Sequence, residues 1–192
     1  MNSEYEILSK IIKNRRSIFP ASYTQEEISK EVIEQILESA NYAPTHKLTQ
    51  PWRFVVIKGE AKNKLGVKLA EIYKEIIPAE KFLQKKLDSI PLKVNQANCI
   101  IAVKVQFSGK IPEWEEIAAV SCAVQNMSLM AETFGVGAYW SSPPLIVGLS
   151  DFLQLAENEK CLGLFYMGYH NDEPRAANRT PIADKVRWME NE

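Results

Sequence analysis

Apolar positions recur along the chain with two periods, which separate helical from extended segments. Ile7, Leu8, Ile11 and Ile12 form one helical face. Ser3-Glu4-Tyr5-Glu6 reads as a capping box in front of it, with the Ser oxygen accepting a backbone N–H and Glu6 reaching back. This helix is expected to stop near Asn14. Thr24-Gln25-Glu26-Glu27 reads as a second capping box. Behind it Ile28, Val32, Ile33, Ile36, Leu37, Ala40 and Ala43 recur at helical spacing, with Lys30, Glu31, Glu34 and Glu38 on the other side, and Pro44 ends the run. Arg53-Phe54-Val55-Val56-Ile57 is short, aromatic and β-branched, which predicts a strand. A lysine-rich helix is expected from about Ala61 to Ile77, turning Leu65, Leu69, Ile72, Tyr73 and Ile76 inward before Pro78 interrupts it. Asn98 to Val105 is almost continuously apolar, the pattern of a strand covered on both faces.

The second half repeats the alternation. Glu115 to Phe134 predicts a long helix whose apolar residues cover more than one face, so it should be buried within the domain or against another chain; it carries more apolar surface than one small domain readily covers, which is expected to mark a dimer interface. Gly135-Val136-Gly137 ends it, Ala138-Tyr139-Trp140 reads as a short strand, and Ser150-Asp151-Phe152-Leu153 opens a short helix. Leu162 to Tyr169 reads as the last core strand, followed by a tail carrying Arg175, Arg179 and Arg187. Helices interspersed with a few short strands imply an α+β domain with a small sheet. Periodicity alone gives neither strand order nor direction. With no internal repeat or linker, residues 1–192 are expected to form one domain.

Composition narrows the partners. Lys and Arg total 23 and Asp and Glu total 24, so the formal net charge is −1. Phosphate-gripping proteins usually carry a marked basic excess, which argues against nucleic acid. No stretch approaches the ~20 apolar residues that span a bilayer, so no membrane partner is expected. Met1 to Glu6 is acidic and lacks the apolar core of a signal peptide, so a cytoplasmic location is expected. Cys99, Cys122 and Cys161 are odd in number and far apart, each in an apolar run, which is against a disulfide framework. Only His46 and His170 are present, without metal-ligand spacing, so no protein-held metal is expected.

The common catalytic fingerprints are absent. Gly135-x-Gly137 follows a helix and has Trp140 where a dinucleotide fingerprint needs its third Gly. There is no phosphate-binding Gly-Lys-Ser/Thr and no Gly-x-Ser-x-Gly elbow. Two segments remain. Arg15-Arg16-Ser17 places two guanidinium groups and a hydroxyl after the first helix, a donor set suited to a phosphate monoester; taken alone it equally suits solvation of a helix end. Ala43-Pro44-Thr45-His46-Lys47-Leu48-Thr49-Gln50-Pro51-Trp52 packs polar groups between two prolines at the mouth of a strand, which serves either a stiff binding loop or an ordinary connection.

In combination these segments carry more. Arg15-Arg16-Ser17, the Pro44-x-His46-Lys47 loop before Gln50-Pro51-Trp52, the buried central helix, and Gly137-Ala138-Tyr139-Trp140-Ser141-Ser142 occur in the order found in the nitroreductase family of FMN proteins, and the chain resembles its compact Pro-x-His-Lys branch over nearly its whole length. The resemblance implies a nitroreductase-like α+β fold, a small mixed sheet flanked by helices, in an intertwined homodimer. It implies bound FMN, with NAD(P)H as co-substrate and a nitroaromatic, quinone or similar small acceptor reduced in a ping-pong cycle. Arg15, Arg16 and Ser17 would meet the FMN phosphate and ribityl chain, with Arg16 alternatively at the pyrimidine edge. Tyr42 and His46 would reach the partner subunit's FMN. Trp140, Ser141 and Ser142 would lie beside the flavin ring. Arg179 is the candidate late arginine at the phosphate, Arg175 a weaker one. No catalytic side chain is implied, because the flavin carries the chemistry. Two departures stand out: Thr45 and Leu48 occupy positions where many relatives have Ser and Asn, and Pro143-Pro144 is stiffer than the usual Gly-rich continuation. If these close the flavin face, the alternative is a flavin carrier or sensor without turnover. A scaffold that binds no flavin is the reading from a third class.

Overall fold

The computed structural model describes residues 3–173 and 175–190. Its axis is β2 (Cys99–Gln106), whose apolar side chains are buried on both faces. Ile101, Val103 and Val105 join one core with α2 (Lys30–Ala40) and α5 (Glu113–Thr133). Ile100 and Ala102 join a second core with α3 (Glu60–Ile76) and α4 (Gln84–Gln96). The period-2 alternation of a strand thus feeds two helical layers. The sheet order is β1 (Trp52–Ile57), β2, β4 (Glu159–Tyr169), β3 (Val136–Ser141), with every pair antiparallel. The expected mixed character is confined to one parallel bridge, Ser17 with Ala138, at the free side of β3. Between β2 and β4 the one charged side chain of β2, Lys104, is buried and meets Glu159 at 2.8 Å.

Several boundaries differ from expectation for identifiable reasons. Thr24 does not cap α2. Its N–H donates to the Tyr169 carbonyl at 2.7 Å, and Asn98 Oδ1 takes the Ile28 N–H at 2.7 Å, which keeps residues 24–28 out of the helix. The cap is Ser29, whose oxygen accepts from the Val32 N–H. Helix α4 was not expected at all. It carries Pro91 in its interior, and a Cβ on Gly66 of α3 would stand 3.2 Å from the Pro91 Cα, so the glycine lets the two helices approach closely there. A 3-10 segment at Pro144–Leu149 replaces the short helix expected from Ser150. The capping box expected at Ser3 has no described cap, because residues 1 and 2 lie outside the described residues.

The apolar surplus also sits elsewhere than expected. Most of the apolar residues of α5 are covered by this chain's own sheet and α2. The uncovered helix is α1 (Ser3–Asn14), which buries no side chain and leaves Ile7, Leu8 and Ile12 exposed. No helix among the described residues is long and apolar enough to cross a membrane.

Candidate functional site

After α1 the chain leaves helical geometry and lies against β3. The Ile18 N–H donates to the Ala138 carbonyl at 3.1 Å, and Ser17 bridges Ala138. Only a glycine allows this approach at position 137, where a Cβ would stand 2.7 Å from the His170 ring and 2.9 Å from the Ile18 Cβ. Docking Ser17 there fixes the two arginines that precede it. Arg15 and Arg16 line a cavity of about 460 Å³ with Lys13 and Arg179, and no acidic residue shares it. Four cations around a space without a carboxylate form a donor set for a phosphate, and a phosphate monoester supplies the matching charge and acceptor oxygens.

The two late arginines divide the work. Arg179 lines the cavity, with one N–H on its neighbour's carbonyl at Asn178. Arg175 donates to the Ser17 carbonyl at 2.8 Å, and its own carbonyl accepts from Arg16 at 3.0 Å, so it straps the tail onto the arginine segment. Arg16 also donates to the carbonyls of Lys13 at 2.7 Å and Arg15 at 2.8 Å. These contacts hold Arg16 between that cavity and a neighbouring one that it lines with Glu132, Asp172, Glu173 and Arg175.

At the far end of β3 the strand alternates its side chains between two layers. Trp140 packs into the core on the α5 side, its Nε1 buried without a hydrogen-bond partner and pressed against Gly163. Tyr139 and Ser141 face the opposite layer, into a groove of about 610 Å³ that also contains Phe19, Lys93, Pro143 and Tyr166. Phe19 and Tyr139 rings stand 4.5 Å apart, and Lys93 Nζ is 3.3 Å from Ser141 Oγ. Ser142 follows, exposed, at the end of the strand. Of the Trp-Ser-Ser segment, then, Ser141 presents its side chain to the groove and Trp140 does not.

Tyr42 and His46 lie apart from both places. Tyr42 is 78% exposed and lines an apolar groove of about 510 Å³ between α1, α2 and α5. His46 Nδ1 is 2.5 Å from Glu115 Oε2 at the start of α5. Neither shares a cavity with the arginines of its own chain. The loop holding His46 is strained: Lys47, Leu48 and Gln50 have φ of 50°, 52° and 44°. Such conformations cost on the order of 1–3 kcal/mol each for residues other than glycine. Thr45 steadies the loop, its hydroxyl accepting from the Gln50 N–H at 3.0 Å. Leu48 is 79% exposed; of the two prolines, Pro143 lines the groove and Pro144 is exposed.

Sequence reasoning missed Phe19, Tyr139, Tyr166 and Lys93. Strand alternation around Ser141 was a usable signal for Tyr139; Lys93 sits in a helix the periodicity did not reveal.

The chain was compared with known proteins. The sequence profile described as the nitroreductase family matches residues 12–169. YfhC of Bacillus subtilis, a candidate NAD(P)H nitroreductase, is 29% identical over 190 residues, covering 97% of this chain and 96% of that protein. A nitroreductase-like family protein from Bacillus cereus superposes with a TM-score of 0.81 at 25% identity, covering 96% of each chain. A candidate nitroreductase from Desulfovibrio desulfuricans, solved in complex with FMN, superposes with a TM-score of 0.75 at 26% identity, covering 100% of this chain and 99% of that one. The family's residues span both the arginine segment and the end of β3, and the chain belongs to the nitroreductase family.

Proposed function

We propose that this chain binds FMN and passes electrons from NAD(P)H to small oxidised acceptors such as nitroaromatics or quinones. The observation that carries the reading is the acid-free cavity lined by Arg15, Arg16 and Arg179, tied through Ser17 and Ala138 to the strand that ends at Ser141 and Ser142. The donor set fits a phosphate-bearing cofactor. When bound, FMN supplies the hydride-accepting and electron-donating chemistry. The chain supplies the rest. Arg15, Arg16 and Arg179 neutralise the phosphate. Ser17 hydrogen-bonds the polar linker beside it. Trp140 anchors β3 in the core, so that the main chain of Ser141 and Ser142 can meet the edge of the ring. Nicotinamide and acceptor would use the same groove in turn, in a ping-pong order.

The reading includes a homodimer. Tyr42 and His46 stand away from the arginines of their own chain, and α1 leaves Ile7, Leu8 and Ile12 without cover beside the apolar groove that contains Tyr42. A second copy laid on that face would both cover α1 and deliver its His46 loop to this chain's cofactor. The test is an absorption spectrum of the purified protein, before and after NADPH without air. Flavin absorption that bleaches is expected. A colourless protein after FMN-supplemented purification, or flavin that NAD(P)H never bleaches, refutes the reading, as does full FMN occupancy in the Arg15→Ala/Arg16→Ala variant.

A further inference from the structure

The groove at the end of β3 contains a cation that the proposed function leaves unused. Lys93 reaches across from α4, its Nζ 4.7 Å from the Tyr139 ring centroid, 4.8 Å from that of Tyr166 and 3.3 Å from Ser141 Oγ. Ser141 is buried, so the ammonium sits over a closed floor of two aromatic faces and one hydroxyl. An ammonium has three N–H donors. Among the described residues Ser141 Oγ is its sole hydrogen-bond acceptor, and no carboxylate pairs with it. The groove's other charged lining residue is Lys86, so no acid faces the ammonium from any wall. Burial alone pushes the Lys93 ammonium below the ordinary lysine value. Cation–π contacts compensate part of that desolvation, and an anion would compensate the remainder.

The walls specify the rest of the ligand. Phe19, Tyr139 and Tyr166 offer flat aromatic surface, and Ile90, Leu92 and Leu145 complete an apolar slot. We propose that this groove is a site for a planar aromatic group bearing a negative edge, with its ring against Phe19 and Tyr139 and the negative edge on Lys93. The ligand that carries that chemistry is an acidic aromatic acceptor such as an arene carboxylate or phenolate. The inference deepens the flavin reading by naming what the end of β3 selects, and it stands or falls on Lys93.

The test compares wild type, Lys93→Met and Lys93→Arg, each as purified and each checked for folding by thermal melting. One arm titrates 4-nitrobenzoate against the uncharged 4-nitrobenzamide by calorimetry. The second follows FMN retention on dilution by flavin fluorescence. If the groove takes a free acid, the anion binds roughly ten-fold or more tightly than the amide, Lys93→Met abolishes the preference and Lys93→Arg keeps it. If Lys93 only meets the cofactor, no preference is seen while Lys93→Met loosens FMN, and the proposal is overturned. The proposal is likewise overturned if Lys93→Met leaves an anion preference unchanged. A protein that holds no FMN defeats the flavin reading instead, and the carboxylate arm still decides the groove.

Discussion

Gly137→Ala isolates the docking of the arginine segment from the arginines themselves. The added Cβ would stand 2.7 Å from the His170 ring and 2.9 Å from the Ile18 Cβ, against an ordinary contact of 3.4–4 Å. His170 is half-buried and can swing its ring aside. Ile18 cannot, because its Cβ is fixed to a main chain that bonds Ala138 and its side chain is buried. The strain therefore falls on Ser17–Ile18, which must retreat by roughly 0.5–1 Å, an overpacking that costs about 1–3 kcal/mol. Arg15 and Arg16 retreat with it. Charge-assisted hydrogen bonds are each worth about 1.5–3 kcal/mol and depend steeply on geometry, so losing the alignment of one should weaken FMN about ten- to a hundred-fold. Flavin-fluorescence titration measures this, with thermal melting of the same samples. Gly135→Ala is the control: it lies in the left-handed region at φ 67° with nothing within 4 Å, so it should cost about 1 kcal/mol of stability and leave FMN affinity alone. Equal FMN affinities in the two variants would refute the argument that Ser17 docking sets the phosphate site.

Three further outcomes are expected. Burial opposes ionisation of Glu159, but hydrogen bonds from Lys104 and the Ala156 N–H, with the charges of Lys104 and Arg53, hold its carboxyl below the ordinary value. Its stabilising contribution is therefore present above the ordinary carboxylate range and disappears as pH falls through the depressed value. Lys104→Met strands this carboxylate and should cost about 3–5 kcal/mol in urea unfolding at pH 7, with a smaller loss at pH 3; an equal loss at both pH values contradicts the pairing. Burial pushes the Cys99 thiol up to about 12, so iodoacetamide at pH 8 should leave it unmodified in the folded protein and alkylate it in urea, read by mass spectrometry. Leu8→Glu should turn a dimer into a monomer at micromolar concentration by light scattering with little change in secondary structure, because α1 buries no side chain in its own chain; an unchanged mass argues against the α1 face as the interface.

Legibility followed the range over which each feature is determined. β2 was readable because burial on both faces leaves a continuous apolar run, Cys99 to Val103, in the sequence itself. Arg15-Arg16-Ser17 was readable because its three residues are consecutive. The start of α2 was misread because a local capping pattern at Thr24 loses to two long-range bonds, from Thr24 to Tyr169 and from Ile28 to Asn98. Helix α4 escaped because an interior proline and a polar majority erase its period, and what places it is tertiary packing, with Val94 in the core and Pro91 against Gly66 of α3. With α4 went Lys93, whose contact with Ser141 joins residues 48 apart. For α5 the sequence pattern was right about burial and left the covering surface open; the structure supplies it from α2 and the sheet.

The two cation sites share one short ruler. Ser17 bridges β3 at Ala138, and Lys93 meets it at Ser141, three residues on, or about 10 Å of strand. A ligand with a phosphate at one end and a flat ring at the other can lie along that edge and touch both without any movement of the backbone, since β4 holds β3 in register from Val136 to Ser141. Groups about 10 Å apart that do not touch one another contribute nearly additively to a common ligand as long as its pose is unchanged. If one ligand spans the strand, Arg15→Ala and Lys93→Met should each loosen FMN and their logarithmic losses should sum in the double variant. If two ligands share it, Lys93→Met leaves FMN affinity at its wild-type value and acts on acidic acceptors alone. Strong non-additivity for FMN would mean that the strand bends between its two ends, and β3 would then be no ruler.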